Sequence, residues 1–167
     1  SLIGDVLTQN TTLNLSGTTA RIAGNVINTG GSINLLSGAH FTPEGTFTSA
    51  TFQVANGATL NVEESQVASI TGDYTQSGAL HIGASNNSNH GRVSVTGNAV
   101  LTPTATFVVD VNAVNTLANG ETLAGVITAS GTLTNNAPSN NVSGSALFDF
   151  VSVTNGKAVD LLLVAGG

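Results

Sequence analysis

The stretch that decides the fold is Thr12-Leu13-Asn14-Leu15, because its alternation returns three more times in the first half of the chain. Small or polar residues alternate with apolar residues, which is typical of a half-buried strand, since successive side chains point to opposite faces. The steps between the phrases are 20, 27 and 20 residues. Strands recurring in this way predict a solenoid, in which each coil buries its apolar residues against its neighbours. The three returns are Ser32-Ile33-Asn34-Leu35, Thr59-Leu60-Asn61-Val62 and Ala79-Leu80-His81-Ile82.

Composition favours the same fold and excludes several functions. Charged residues make up 7% of the 167-residue chain, whereas about 25% is usual. Apolar residues make up 40%, which is too much for a disordered chain, and they follow no helical period. The net charge is −6, and three cations (Arg21, Arg92 and Lys157) are too few for a nucleic-acid surface. The sequence has no cysteine, which excludes disulfides and thiolate metal sites.

The sequence pattern changes near residue 91, where we place an approximate boundary between two continuous regions. Residues 1–91 carry the repeat and form a predicted stem, and residues 92–167, denser in Phe and Val after residue 105, form a C-terminal region continuous with it. No apolar run is long enough to span a membrane, no signal peptide precedes the repeat, and we expect a piece of a longer protein. Strands are predicted near 11–16, 20–28, 32–36, 46–54, 58–63, 66–70, 79–83, 92–96, 98–101, 105–111, 121–128, 146–153 and 158–164.

Two Asn-Gly pairs predict different turns. A two-residue type I′ turn at Asn155 and Gly156 sets the apolar residues of 146–164 on one shared face of a hairpin, with Asp149 and Asp160 on the other face. The same construction about Asn56-Gly57 would set apolar residues opposite polar ones. This second pair is therefore predicted to be a bend between two faces of one coil. The inward pairs of the hairpin are predicted to be Phe148 with Leu163, Phe150 with Leu161, and Ser152 with Val159.

Four phrases between residues 72 and 164 occur in an order that resembles the passengers of bacterial autotransporters. They are GDYTQSGALHI at 72–82, GRVSVTGNAVL at 91–101, TLAGVITA at 122–129 and ALFDF at 146–150. Pro103 departs from the family pattern, which has Gly at the corresponding turn. The resemblance implies a right-handed parallel β-helix that is exported through the periplasm and outer membrane to the cell surface. Its C-terminal region would act as an autochaperone that starts folding during secretion.

The open end of such a stack exposes unpaired strand edges, so we expect the hairpin at 146–164 to cap it. The resemblance implies that the partner of the full-length protein is its own C-terminal outer-membrane barrel. Host surfaces, glycans and further copies of the chain are other candidate partners. The residues that we expect to form the folding and cap core are Val93, Val95, Leu101, Phe107, Val109, Phe148, Phe150, Leu161 and Leu163, with the turn at Asn155 and Gly156.

Chemically reactive side chains are few and form no recognisable site. His81 takes the outward position that an Asn holds in the other repeats, His90 lies in a polar stretch at 85–91 that is predicted to be an exposed loop, and His40 lies at a turn. No spacing of these histidines suits zinc. Glu63 and Glu64 are neighbours in a predicted strand, so we expect them to point to opposite faces. We expect no catalytic residue, no cofactor and no metal.

Three functions stay open from the sequence. The leading one is a structural β-helical passenger segment whose C-terminal part promotes folding and secretion. The second is an adhesin or self-association surface, which long rows of exposed Thr and Asn would favour. The third is a β-helix polysaccharide hydrolase or lyase, which a cluster of carboxylates in a cleft would favour.

Overall fold

The computed structural model describes residues 2–145 and 147–166, which form strands and connecting turns with no helix. Ser1, Ala146 and Gly167, which the sequence places in the stem, the hairpin and the C-terminal region, lie outside the described residues. The strands are β1 (Leu2–Ile3), β2 (Val6–Gln9), β3 (Thr12–Leu15), β4 (Ala20–Ala23), β5 (Val26–Leu35), β6 (His40–Pro43), β7 (Phe47–Val54), β8 (Thr59–Val62), β9 (Val67–Gln76), β10 (Ala79–Asn86), β11 (Asn89–His90), β12 (Arg92–Val95), β13 (Ala99–Leu101), β14 (Thr106–Val111), β15 (Thr122–Ala129), β16 (Leu133–Asn135), β17 (Val142–Ser143), β18 (Phe148–Asn155) and β19 (Ala158–Gly166).

Parallel pairing stacks these strands into three faces around one core. Face 1 is the sheet β1-β4-β6-β8-β10-β14-β17. The long strands β5, β7 and β9 belong to a second sheet and contribute to two faces. Their first halves, with β2, β12 and β15, form face 2, and their second halves, with β3, β13 and β16, form face 3. The predicted all-β solenoid is confirmed as a parallel β-helix.

The four repeated phrases lie on two faces of the β-helix, two on each. They are therefore not equivalent positions of successive coils, as the shared outward position of Asn14, Asn34, Asn61 and His81 would require. Strand β3 pairs with the second half of β5 on face 3, whereas β8 pairs with β10 on face 1. The step of 27 residues therefore crosses from one face to the next. Strands on both faces bury one side and expose the other, so the same alternation serves both and does not distinguish them.

Most predicted strands match observed ones, and the differences lie at the ends and in short strands. The predicted strand at 20–28 is interrupted between β4 and β5, and those at 32–36 and 66–70 are parts of the longer β5 and β9. Asn56-Gly57 does lie at a bend, between β7 in the second sheet and β8 on face 1. The strands missed were β1, β2, β6, β11, β16 and β17, which have at most four residues each and little alternation to detect.

Aromatic side chains pack along the interior of the stem from one coil to the next. Phe41 contacts Phe47 at 5.8 Å between ring centres, Phe47 contacts Phe52 at 4.9 Å, and Phe52 stacks on Tyr74 at 6.0 Å. Burial raises the pKa of the Tyr74 phenol above its usual value. Phe41, Phe47 and Phe52 belong to one coil, and the contact of Phe52 with Tyr74, its register partner on β9, links this coil to the next.

Gln76 is a fully buried polar residue that the sequence analysis did not single out. Its Oε1 accepts a hydrogen bond from the Tyr74 hydroxyl at 2.8 Å. Its Nε2 donates to the carbonyl oxygens of Gly78, at 3.2 Å, and Thr106, at 2.8 Å. The amide is thus paired at both ends, as a buried polar group must be, and it ties β9 to the following turn and to β14.

Candidate functional site

The C-terminal hairpin joins the stack by antiparallel pairing onto a parallel strand. Strand β15 pairs in parallel with β12 and, on its other side, antiparallel with β19. Strand β19 pairs antiparallel with β18, which is the outermost strand of the second sheet. Parallel pairing of neighbouring strands on face 2 therefore ends at β15. Beyond it, the hairpin adds β19, which runs antiparallel to β15, and then β18, which runs antiparallel to β19.

All nine residues predicted for the folding and cap core are buried, with at most 7% of their surface exposed. They lie on β12, β13 and β14 and on the inward side of the hairpin, so the sequence analysis identified the correct faces. Their role in folding is a separate matter and stays a prediction. The residues are Val93, Val95, Leu101, Phe107, Val109, Phe148, Phe150, Leu161 and Leu163.

The predicted turn and register of the hairpin are wrong, although the inward face is right. Asn155 is the last residue of β18 and pairs with Ala158, so the loop residues are Gly156 and Lys157. A positive φ occurs at Gly156 (59°) and not at Lys157, which fits a type II′ turn and not type I′. From Phe150 to Thr154, each residue of β18 thus pairs two positions further along β19 than predicted, and beyond the bulge between Asp149 and Phe150 the shift is three. A shift of two keeps every side chain on its own face. The observed pairs include Phe150 with Leu163, and Ser152 with Leu161.

A bulge in β15 is held by the carboxylate of Asp160. Between the pairs Leu123–Leu161 and Ile127–Val159, three residues of β15 lie opposite Asp160 alone. Gly125 has a φ of 63°, and its N–H donates to Oδ1 of Asp160 at 2.8 Å. The carboxylate therefore satisfies an amide that the bulge removes from the ladder.

The segment at 139–141 protects the outer edge of the hairpin. The N–H of Ser152 donates to the carbonyl of Ser139 at 2.9 Å, and its hydroxyl donates to Oδ1 of Asn141 at 2.9 Å. Nδ2 of Asn141 donates in turn to the carbonyl of Ala105 at 2.8 Å. Edge strands that are covered in this way are poor templates for aggregation.

The outward side of face 1 holds the largest collection of titratable groups. A shallow groove of about 310 Å³ there is lined partly by Glu63, Glu64 and Asp110. Both glutamates follow β8 instead of lying within it. The expectation that they point to opposite faces is therefore wrong, because the alternation of a strand stops where the strand ends.

Two of the three carboxylates of this groove accept a hydrogen bond from a neighbouring side chain. Arg21 donates to Glu63 at 2.6 Å and, outside the groove, to Glu44 at 2.8 Å, and these two hydrogen bonds, that of Glu63 first, raise the pKa of Arg21. Asn112 donates to Oε1 of Glu64 at 3.0 Å, while Oε2 of Glu64 is buried without a partner among the described residues.

His40 and His81 meet on this same outer face. Their ring centres lie 5.4 Å apart with the planes at 83°, and Nδ1 of His81 lies 3.8 Å from Oδ2 of Asp110. His81 is in register with Asn61, as the sequence analysis expected, but the equivalent Asn14 and Asn34 lie on face 3. Partial burial lowers the pKa of His81 below its usual value, so its imidazole is neutral near pH 7.

His90 is buried, contrary to the exposed loop predicted at 85–91. Strand β10 continues to Asn86, and β11 returns antiparallel beside it, which makes the stretch a tight hairpin. His90 is 2% exposed, its Nδ1 lies 3.0 Å from the carbonyl oxygen of Gly91, and its Nε2 has no partner among the described residues. Burial lowers the pKa of His90, since a charged imidazole loses its hydration there.

In the part of the chain that the structure describes, no helix is long and apolar enough to cross a membrane. The same part contains no group of three or more His, Asp or Glu side chains placed to hold a metal ion together. No family model matches the sequence, and no curated protein matches it.

Proposed function

We propose that this chain is a structural segment of a bacterial surface autotransporter, in which the C-terminal region caps the β-helix and starts its folding. The observation that carries the proposal is the antiparallel addition of β19 to β15, which ends the parallel stacking on face 2 with a closed hairpin. The segment acts as a rigid spacer on the cell surface, and its partner is the outer-membrane barrel of the full-length protein.

The hairpin of β18 and β19 combines a short loop with many residue pairs. Two residues join these strands, as two residues join β10 and β11, but β18 and β19 form eight residue pairs whereas β10 and β11 form two. Parallel neighbours such as β8 and β10 are about one coil apart in sequence. Because the entropy of loop closure must be lost before a contact is gained, the hairpin forms at a lower initial cost than the pairing of successive coils. It then offers β15 a paired edge, and β15 offers one to β12.

Folding from the C-terminal hairpin towards the stem would help export, if the C-terminal end of the chain emerges first. A C-terminal end that folds first outside the membrane would hold the emerging chain and template the upstream coils one after another. The polar but uncharged composition of the stem suits this role, because few charges have to be paired during stacking.

Refolding kinetics of two phenylalanine variants test the proposal. Phe150 in the hairpin and Phe52 in the stem are both buried, so Phe150→Ala and Phe52→Ala remove the same group from the two regions. Phe150→Ala should slow refolding after dilution from urea about tenfold, whereas Phe52→Ala should mainly accelerate unfolding. Slower refolding in Phe52→Ala alone would place the nucleus in the stem and overturn the proposal.

A second candidate function is adhesion, which one row of side chains favours. On the outer side of face 3, Asn14, Asn34, Gln53 and Thr75 lie in register on successive coils, and Nδ2 of Asn34 donates to Oδ1 of Asn14 at 3.1 Å. Amides and hydroxyls in a row are suited to the hydroxyl groups of a glycan. Binding of the intact chain to immobilised polysaccharide that is lost in Asn34→Arg would favour this role.

A further inference from the structure

Two histidines far apart in sequence are brought together on the outer side of face 1. His40 begins β6 and His81 lies in β10, with β8 between the two strands. Through Thr59, His40 is in register with Ala79, two residues before His81. Two strand spacings and this offset separate the two backbones by about 11–12 Å, yet the ring centres lie 5.4 Å apart. The side chains therefore lean towards each other over β8. No hydrogen bond engages either imidazole among the described residues.

The separation of the rings fits two imidazoles on one metal ion. Two tetrahedral His ligands with Zn–N distances of about 2.0–2.1 Å place their ring centres about 5 Å apart. The angle of 83° between the ring planes keeps two imidazoles on one ion from clashing face to face. Imidazole binds metals through an unprotonated ring nitrogen.

Asp110 places a carboxylate near His81, as is common for a metal-binding histidine, although 3.8 Å is too long for a hydrogen bond. A ligating His usually donates its second ring N–H to a carboxylate, which fixes the tautomer and the ring orientation. Nδ1 of His81 faces Asp110 at 3.8 Å, which leaves Nε2 for an ion. The nearest cationic side chain on this face, Arg21, is already engaged by Glu44 and Glu63, so its charge is offset.

We propose that His40 and His81 bind one divalent late first-row transition ion, such as Zn²⁺, with Asp110 as the positioning residue for His81 and water as the remaining ligands. The described residues place no third His, Asp or Glu to complete a fully protein-bound centre, so the site is an exposed, exchangeable one. The ion would clip β6 to β10 across β8 and stabilise the stem without being needed for folding.

Calorimetric titration of the intact chain with Zn²⁺, paired with thermal unfolding, tests this assignment. We expect one bound ion and a higher Tm with Zn²⁺. His40→Gln and His81→Gln should each weaken binding at least tenfold, and Asp110→Asn about tenfold because it acts through His81. Glu64→Gln, in the acidic groove of the same face, should bind like the parent chain.

Thermal unfolding without metal shows whether each variant is folded. Retained Zn²⁺ affinity in a folded His40→Gln or His81→Gln variant would overturn the site, as would absence of binding to the parent chain at millimolar Zn²⁺. Equal loss in Glu64→Gln would also overturn it, since binding would then belong to the acidic groove.

Discussion

The first and last coils of the described chain differ in how their inward residues are covered. At the N-terminal end, β1, β2 and β3 each pair with a described strand on one side, and the inward residues Leu13 and Leu15 are only partly buried. At the C-terminal end, β15 is covered by the hairpin, and Phe150 and Leu161 are 4% and 0% exposed. The same alternation of apolar and polar residues is present at both ends.

The difference shows that burial in a solenoid depends on neighbours more than on the residue itself. Leu15 and Leu35 occupy the same column of face 3, but Leu35, with β7 on its other side, is 0% exposed. A strand with a neighbour on both sides is therefore better buried than one with a neighbour on one side. The antiparallel hairpin gives β15 its second neighbour, because reversing the chain supplies that strand without another coil.

The largest expected effect is a loss of stability on truncating a buried residue of the last coil, compared with a partly buried residue of the first coil. Phe150→Ala should lower the free energy of unfolding by about 3–5 kcal/mol, since it leaves a cavity under the hairpin. Leu15→Ala should lower it by about 1 kcal/mol, because a partly exposed side chain at an open edge leaves no closed cavity. Urea unfolding followed by circular dichroism measures both. Equal losses would show that the two ends are equally well packed.

A smaller effect sharpens the description of the capped end. Gly156→Ala should cost about 1 kcal/mol, since Ala is strained at the positive φ of Gly156. Asn155→Ala should cost less than about 0.5 kcal/mol, because Asn155 is an exposed residue in an ordinary strand conformation. Urea midpoints of the two variants decide between the turns. A larger loss in Asn155→Ala would restore the type I′ turn that the sequence predicted.

The smallest expected effect is on pH dependence, at the junction between stem and C-terminal region. The pKa of His90 is lowered in the fold, chiefly by burial and further by Arg92, although the Gly91 carbonyl and Asp160 oppose the shift. As the pH falls below about 6.5, the unfolded chain therefore binds a proton before the folded chain does, and stability decreases. Above that pH both states are neutral and His90 contributes no pH dependence.

His90→Gln should accordingly flatten the decline in the urea midpoint between pH 7.5 and more acidic buffers, in the absence of metal. Asn87→Gln, in the exposed loop of the same hairpin, serves as the matched control and should leave the decline in place. An unchanged decline in His90→Gln would mean that other groups are responsible for the loss of stability in acid.

Much of the fold could be predicted because the alternation of apolar and polar residues identifies the buried side of a strand. Phe148, Phe150, Leu161 and Leu163 were correctly assigned to the inside of the hairpin even though the turn was misplaced, since a register error of two residues preserves the face. The turn itself failed because Asn-Gly favours type I′ turns locally, whereas pairing of β19 with β15 fixes the register from outside the hairpin.

The candidate metal site could not be predicted from spacing. His40 and His81 are 41 residues apart and lie on strands that do not pair with each other. Their approach depends on the coil lengths between them and on the lean of both side chains across β8. Gln76 escaped notice for a similar reason, because its position in the apolar column of face 3 was not known until β9 was placed against β7 and β13.

The sequence by itself determined that this chain is an all-β solenoid, which residues face inward, and that few charges are available for chemistry. These properties follow from local alternation and composition, which need no knowledge of neighbours. The tertiary structure alone decided which phrases share a face, where the parallel stack ends and which polar side chains meet. Those outcomes depend on the register between coils, and register is set by backbone pairing across residues distant in sequence.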